Sequence, residues 1–282
     1  MNMFFNMKAR LQGLAVAGTL LASYSFYALP AQAGVIAQCG EPVCAANFSI
    51  FFEGMPNEAG GGEFLYDATS GEITLNTDAE SIRGNGMLTP SGTLMWTMGD
   101  GSQVRVSSVY GNADPILGFS LGATTTGTGR SFAFAFDLPI ALDGPIEARS
   151  SVSYSLTSTT SAGAQITPLN SHVVTANEVD TTVGGIGVLN KGVDVGDAFF
   201  FTGGPQTQNS SVFTASNSFT GDIAYDLMSV QVAFALSADS AVGLSGFVEQ
   251  TPVPIPAALP LFFFGLTGLG VLARMKKRAL RV

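Results

Sequence analysis

The chain has 282 residues, with 21 acidic and 12 basic side chains, 34 glycines, 21 phenylalanines, one histidine and two cysteines. Every acid lies between Glu41 and Glu249, whereas two of the bases precede residue 11 and five follow residue 273. Residues 34–250 therefore set 21 acids against Arg83, Arg105, Arg130, Arg149 and Lys191, a net charge of −16 that excludes nucleic acid as a partner.

In chain order, Lys8 and Arg10 give a positive start, and Leu11 to Leu29 is uncharged and mostly apolar. Ala31-Gln32-Ala33 then places small residues at the two positions that direct cleavage. This is the layout of a Sec-type signal peptide over residues 1–33, a helical leader cut after Ala33, with the Sec export machinery as the first partner. Export implies an oxidising compartment, where Cys39 and Cys44, with four residues between them, are expected to close a small disulfide loop. A two-cysteine metal site would need further ligands, and the only histidine, His172, is far away in sequence.

Residues 34–250 are built of Gly, Ser, Thr, Ala, Val and Phe in short alternating runs separated by turn residues. Ala46 to Phe52 predicts a strand, and Glu63 to Leu75 predicts a hairpin turning at Thr69–Gly71. Thr93–Met98 and Gln103–Tyr110 flank the turn Gly99-Asp100-Gly101. Ser131 to Phe136 alternates phenylalanine with small residues, and Val152 to Leu156 alternates apolar residues with serine. Ala198–Thr202, Val212–Phe219, Ala224–Leu236 and Val242–Glu249 complete the set. Gly54–Gly62 and Thr157–Gly163 are turn-rich and predict surface loops. About a dozen short strands with turn chemistry between them predict an all-β body, an antiparallel β-sandwich or a close relative of one.

No catalytic constellation stands out. A Ser-His-Asp site would have to use His172, and no G-x-S-x-G elbow occurs in residues 34–250. A pair of carboxylates could hydrolyse a glycan, and 21 acids leave that open. Calcium fits the chemistry better: Asn177-Glu178-Val179-Asp180 and Asp194-Val195-Gly196-Asp197 present oxygen ligands at close spacing, although solvated turn residues are the plainer account. No other cofactor is expected. Trp96, Tyr66, Tyr110 and Tyr154 lie on alternating strands, where aromatics are usually core or cross-strand pairs and less often a sugar-stacking patch.

The tail, residues 251–282, opens with Pro252, Pro254, Pro256 and Pro260. No charge occurs from Ala257 to Ala273, a helix of roughly 25 Å that spans a bilayer only with little tilt. Arg274, Lys276, Lys277, Arg278 and Arg281 follow, and such a cluster stays on the cytoplasmic side as a membrane stop. The order of features, Val253-Pro254-Ile255-Pro256-Ala257, then an apolar run with Gly265, Gly268 and Gly270, then Ala273-Arg274 and Lys276-Lys277, resembles the PEP-CTERM sorting signal of Gram-negative bacteria. Val-Pro-Ile-Pro-Ala stands where the signal usually has Val-Pro-Glu-Pro, so the tail is closer to the Val-Pro-Leu-Pro-Ala type. The resemblance covers about a tenth of the chain. It implies recognition by an exosortase, an integral-membrane thiol transpeptidase, with a cut near Val253–Pro256. It also implies a setting of exopolysaccharide and biofilm, with a form tethered at the inner membrane before the cell surface or matrix is reached. Spaced prolines hold the motif extended, which suits reading by an enzyme cleft.

The expectation is an exported, non-catalytic structural or adhesive protein of the cell surface or biofilm matrix, with exopolysaccharide as a candidate partner. An extracellular carbohydrate-active enzyme and a periplasmic binding module held by an uncut membrane anchor are the alternatives.

Overall fold

The computed structural model describes residues 33–35, 43–52, 59–67, 70–112, 115–180 and 187–253. Ala31–Val253 forms one compact unit. Its strands are β1 (Ala33–Val35), β2 (Val43–Phe52), β3 (Gly60–Asp67), β4 (Ile73–Leu75), β5 (Arg83–Gly84), β6 (Gly86–Leu88) and β7 (Leu94–Thr97). Then come β8 (Gln103–Asn112), β9 (Ile116–Thr124), the 29-residue β10 (Arg130–Ser158), β11 (Ala164–Pro168), β12 (Val174–Asp180) and β13 (Gly187–Asn190). β14 (Phe199–Phe201), β15 (Gln206–Asn209), the 24-residue β16 (Phe213–Leu236) and β17 (Ser240–Pro252) complete the chain order. One short 3-10 turn, Ala79–Ser81, is the only helical element among the described residues, and no described helix is long and apolar enough to cross a membrane.

All pairings are antiparallel, and they close on themselves through β10, β2, β3, β4, β8, β9, β17 and back to β10. The all-β, sandwich-like expectation for the body therefore holds. β10 and β16 run side by side along nearly their whole lengths and serve both layers. The first half of β10 lies between β2 and the end of β16; its second half lies between β17 and the start of β16. The change occurs at two register shifts, between Pro139 and Leu142 and between Leu142 and Gly144. Irregularities of this kind let a strand bend from one layer into the next.

The sequence predicts two separate strands in each of these stretches, because Pro139, Gly144-Pro145 and Thr220-Gly221-Asp222 look like turns. Instead Gly144 pairs with Gly221, so both chains bend together and the ladder continues. The predicted hairpin at 63–75 is present as β3 and β4, joined through Asp67 N–H to Glu72 O at 2.9 Å.

The core explains the alternation. Phe132, Phe134, Phe136, Leu138 and Ile140 all face inward from β10, and Phe119 of β9 stacks on Phe136 at 6.1 Å with the rings 11° apart. Phe48 meets Trp96 edge-on at 6.1 Å and Phe136 at 5.8 Å. Each such ring withdraws enough apolar surface to contribute about 2–3 kcal/mol.

A candidate glycan-binding face

The second layer turns its outer face to solvent through β8, β9, β17 and the second half of β10. In the three central rows its outward positions are Ser or Gly except for Arg105, Tyr110 and Phe247. In one row Ser108, Ser120, Ser245 and Ser153 stand opposite one another across four strands. The next row holds Tyr110, Gly118, Phe247 and Ser151. On the other side of the serines lie Arg105, Gly122, Gly243 and Ser155.

A β-bulge makes the tyrosine available. Val104 and Val106 of β8 point into the core, so a regular strand would send residue 110 inward as well. The register shift between Val106 and Ser108 reverses that parity: Val109 is buried and Tyr110 is 49% exposed. Gly118 completes the arrangement. A Cβ there would collide with the Tyr110 ring, so the ring rests against the bare backbone of Gly118. Gly122 does the same for Arg105, whose Nε would lie 3.3 Å from an added Cβ. Nothing lies within 4 Å of the corresponding position at Gly243, so the face is open there. Tyr110 and the half-buried Phe247 are two strand spacings apart, roughly 10 Å, with the glycine between them.

Four of the five basic side chains of the body are already engaged. Arg83 donates to Phe48 O at 2.8 Å and to Asn47 Oδ1 at 2.9 Å. Asp100 accepts from the Ser102 N–H at 3.0 Å and from Arg130 Nε at 2.5 Å, and these two, the backbone N–H foremost, hold its carboxyl below the usual carboxylate range. Arg149 pairs with Glu249 across β10 and β17 at 2.8 Å. Lys191 is buried, its Nζ 4.2 Å from the Phe219 ring centre. Arg105 is exposed on the open face.

The remaining sequence candidates fall elsewhere. Trp96 and Tyr66 are core residues. His172 Nε2 lies 3.9 Å from Asp197 Oδ1, and Asp197 is 71% exposed. Of the calcium candidates, Asp194 is already engaged: Oδ1 accepts from Ala176 N–H at 3.2 Å and Oδ2 from the Asn190 amide at 2.7 Å. No group of three or more potential metal ligands occurs among the described residues. An open cleft of about 640 Å³ is lined by Glu63, Asn76, Asp78 and Glu80, but Asp78 and Glu80 are exposed and the Asn76 amide donates to Glu63 Oε2 at 3.2 Å. No aspartate or glutamate is buried among the described residues.

Cys44 stands on β2 opposite Tyr66, whereas Cys39 lies outside the described residues. Of the processing residues, Ala33 opens β1 opposite Leu142 of β10, and Val253 donates its N–H to Pro145 O at 2.9 Å. Ala31, Pro254, Ile255, Pro256, Ala257, Arg274, Lys276, Lys277 and Arg278 lie outside the described residues, as do the leader and the apolar tail segment.

Tyr154, like Tyr66, is buried. Its ring is 5.2 Å from that of Phe213, and its hydroxyl rests against Gly196 with no hydrogen-bond partner among the described residues. Burial, and then the charge of Asp197, push the phenol well above its ordinary range. The folded protein therefore keeps Tyr154 neutral while the unfolded chain ionises above about pH 10, so stability falls as pH rises through that range. Tyr154→Phe is expected to change stability by less than about 1 kcal/mol at neutral pH and to lessen the alkaline loss. Urea unfolding at neutral pH and above pH 10 tests this; an undiminished alkaline loss would contradict it.

No family model and no curated protein matches this chain. Among solved structures, the adhesin domain of Epf from Streptococcus pyogenes aligns over 77% of this chain and 66% of its own, at 10% identity and a TM-score of 0.27. TmCBM61, solved in complex with β-1,4-galactotriose, aligns over 60% of this chain and 92% of its own, at 10% identity and a TM-score of 0.21. The enzymatically active domain of tailspike protein 4 from bacteriophage CBA120 aligns over 49% of this chain, at 9% identity and a TM-score of 0.24; the chain spans 18% of that domain's length. Alignments this partial carry no functional inference for this chain.

Proposed function

We propose that this is an exported protein of the cell surface or extracellular matrix that acts by binding extended polysaccharide and performs no turnover. The observation that carries the reading is the Tyr110–Gly118–Phe247 row on a sheet face otherwise rich in Ser and Gly. Sugar rings pack their apolar C–H faces on exposed aromatic rings, and their hydroxyls exchange hydrogen bonds with short polar side chains. A sheet face several strands wide offers these contacts to a chain and not only to a single sugar.

The leader at 1–33 and the tail at 251–282 supply the route. Export through Sec, tethering at the inner membrane and cutting by an exosortase near Val253–Pro256 would deliver residues 34 to about 253 to the surface or matrix. β17 ends at Pro252, so a cut there leaves the described strands intact. The experiment is the mass and termini of the protein from its native host, fraction by fraction. A chain running from Gly34 to near Val253 in the outer or extracellular fraction is expected. An intact tail in the inner membrane would instead make it a membrane-held periplasmic module.

A further inference from the structure

We infer that Arg105 makes this face selective for acidic polysaccharide, a chain whose uronate carboxylate pairs with the guanidinium while a neighbouring ring stacks on Tyr110. The inference rests on the polysaccharide reading above and names the class of chain. With 21 acids against five bases, the body as a whole repels polyanions. The candidate face does not share that bias. From the row of Arg105 to the row of Tyr110, across β8, β9, β17 and β10, the outward positions hold no acidic residue. The nearest acid along β17, Glu249, is already paired with Arg149.

Arg105 is also presented for use. Its guanidinium lies along the sheet over Gly122, beside Gly243 where the surface is open, and no side chain or carbonyl of the described protein accepts a hydrogen bond from it. A planar fork of N–H donors matches a carboxylate with two parallel hydrogen bonds, a geometry that a hydroxyl does not reproduce. The bulge leaves Arg105 and Tyr110 four strand steps apart, about 13 Å. That distance lets one polysaccharide strand use both groups through sugars a short way apart along it.

The test uses the full chain, with sodium polygalacturonate and its carboxyl-reduced galactan as matched acidic and neutral probes. At about 0.15 M salt, where the body's long-range repulsion of polyanions is largely screened, the protein is expected to bind polygalacturonate about tenfold more tightly than the galactan. Arg105→Gln should bring the ratio of polygalacturonate to galactan affinity close to one, and Arg105→Lys should keep part of the preference, since charge remains but the fork is lost. Equal binding of the two probes by the unaltered protein, or a preference that survives Arg105→Gln, overturns the assignment to Arg105 while the polysaccharide reading stands. Binding to neither probe overturns both.

Discussion

Trp96→Ala is expected to cost about 3–5 kcal/mol of folding stability, lowering the melting temperature by about 10 °C. Trp96 is 1% exposed and holds the strand pair β6–β7 onto β2 and β3. Its ring meets Phe48 edge-on, and its indole N–H donates to Arg83 O at 2.9 Å. Gly60 and Gly86 both lie so close to the ring that a Cβ at either would collide with it. Alanine would therefore leave a cavity beside these glycines and remove the hydrogen bond to Arg83 O. Trp96→Phe restores part of the volume but not the hydrogen bond, for an expected loss of about 1–2 kcal/mol. Urea unfolding followed by circular dichroism measures both, because the substitution removes the only tryptophan as a fluorescent reporter. A loss below about 1 kcal/mol for alanine would contradict this packing.

Tyr110→Ala should have the largest effect on binding, weakening association with polysaccharide about tenfold or more while changing stability by less than about 1 kcal/mol. The separation of the two effects follows from exposure: the residue is 49% exposed, and its ring lies against the backbone of Gly118 on the outer face. Gly118→Ala perturbs the same ring without removing it. The added methyl must push Tyr110 off the sheet, so binding should weaken although the tyrosine remains. If Gly118→Ala binds as well as the unaltered protein, the placement of the ring against Gly118 does not matter for recognition.

Much of the fold is legible in the residues, and its failures have identifiable causes. Phe132, Phe134 and Phe136 alternate with small residues and are all buried, as period two requires. The stretch Gly54–Gly62 reads as a loop, yet β3 begins at Gly60, because Trp96 presses on Gly60 and Phe48 on Gly62. Those glycines are there to admit rings that lie distant in sequence, which no local pattern reveals. Pro139 and Gly144-Pro145 signal turns locally, but the partner strand bends in register with them.

The face is harder to read than the fold. β9 does carry a signal: Gly118, Ser120, Gly122 and Thr124 alternate with Leu117, Phe119, Leu121 and Ala123, which marks one small, flat side. Tyr110 carries the opposite signal, since counting in twos from Val104 places it in the core. Only the bulge after Val106 brings it out beside Gly118, and a bulge is set by pairing with another strand.

The most direct test of a polysaccharide-binding role is co-sedimentation of the protein with the extracellular polysaccharide of its own host, comparing the unaltered chain with Tyr110→Ala. The unaltered chain is expected to pellet with the polysaccharide and Tyr110→Ala to remain largely in solution, both equally folded by circular dichroism. Equal pelleting of the two, or no pelleting of either, would contradict the assignment of this face.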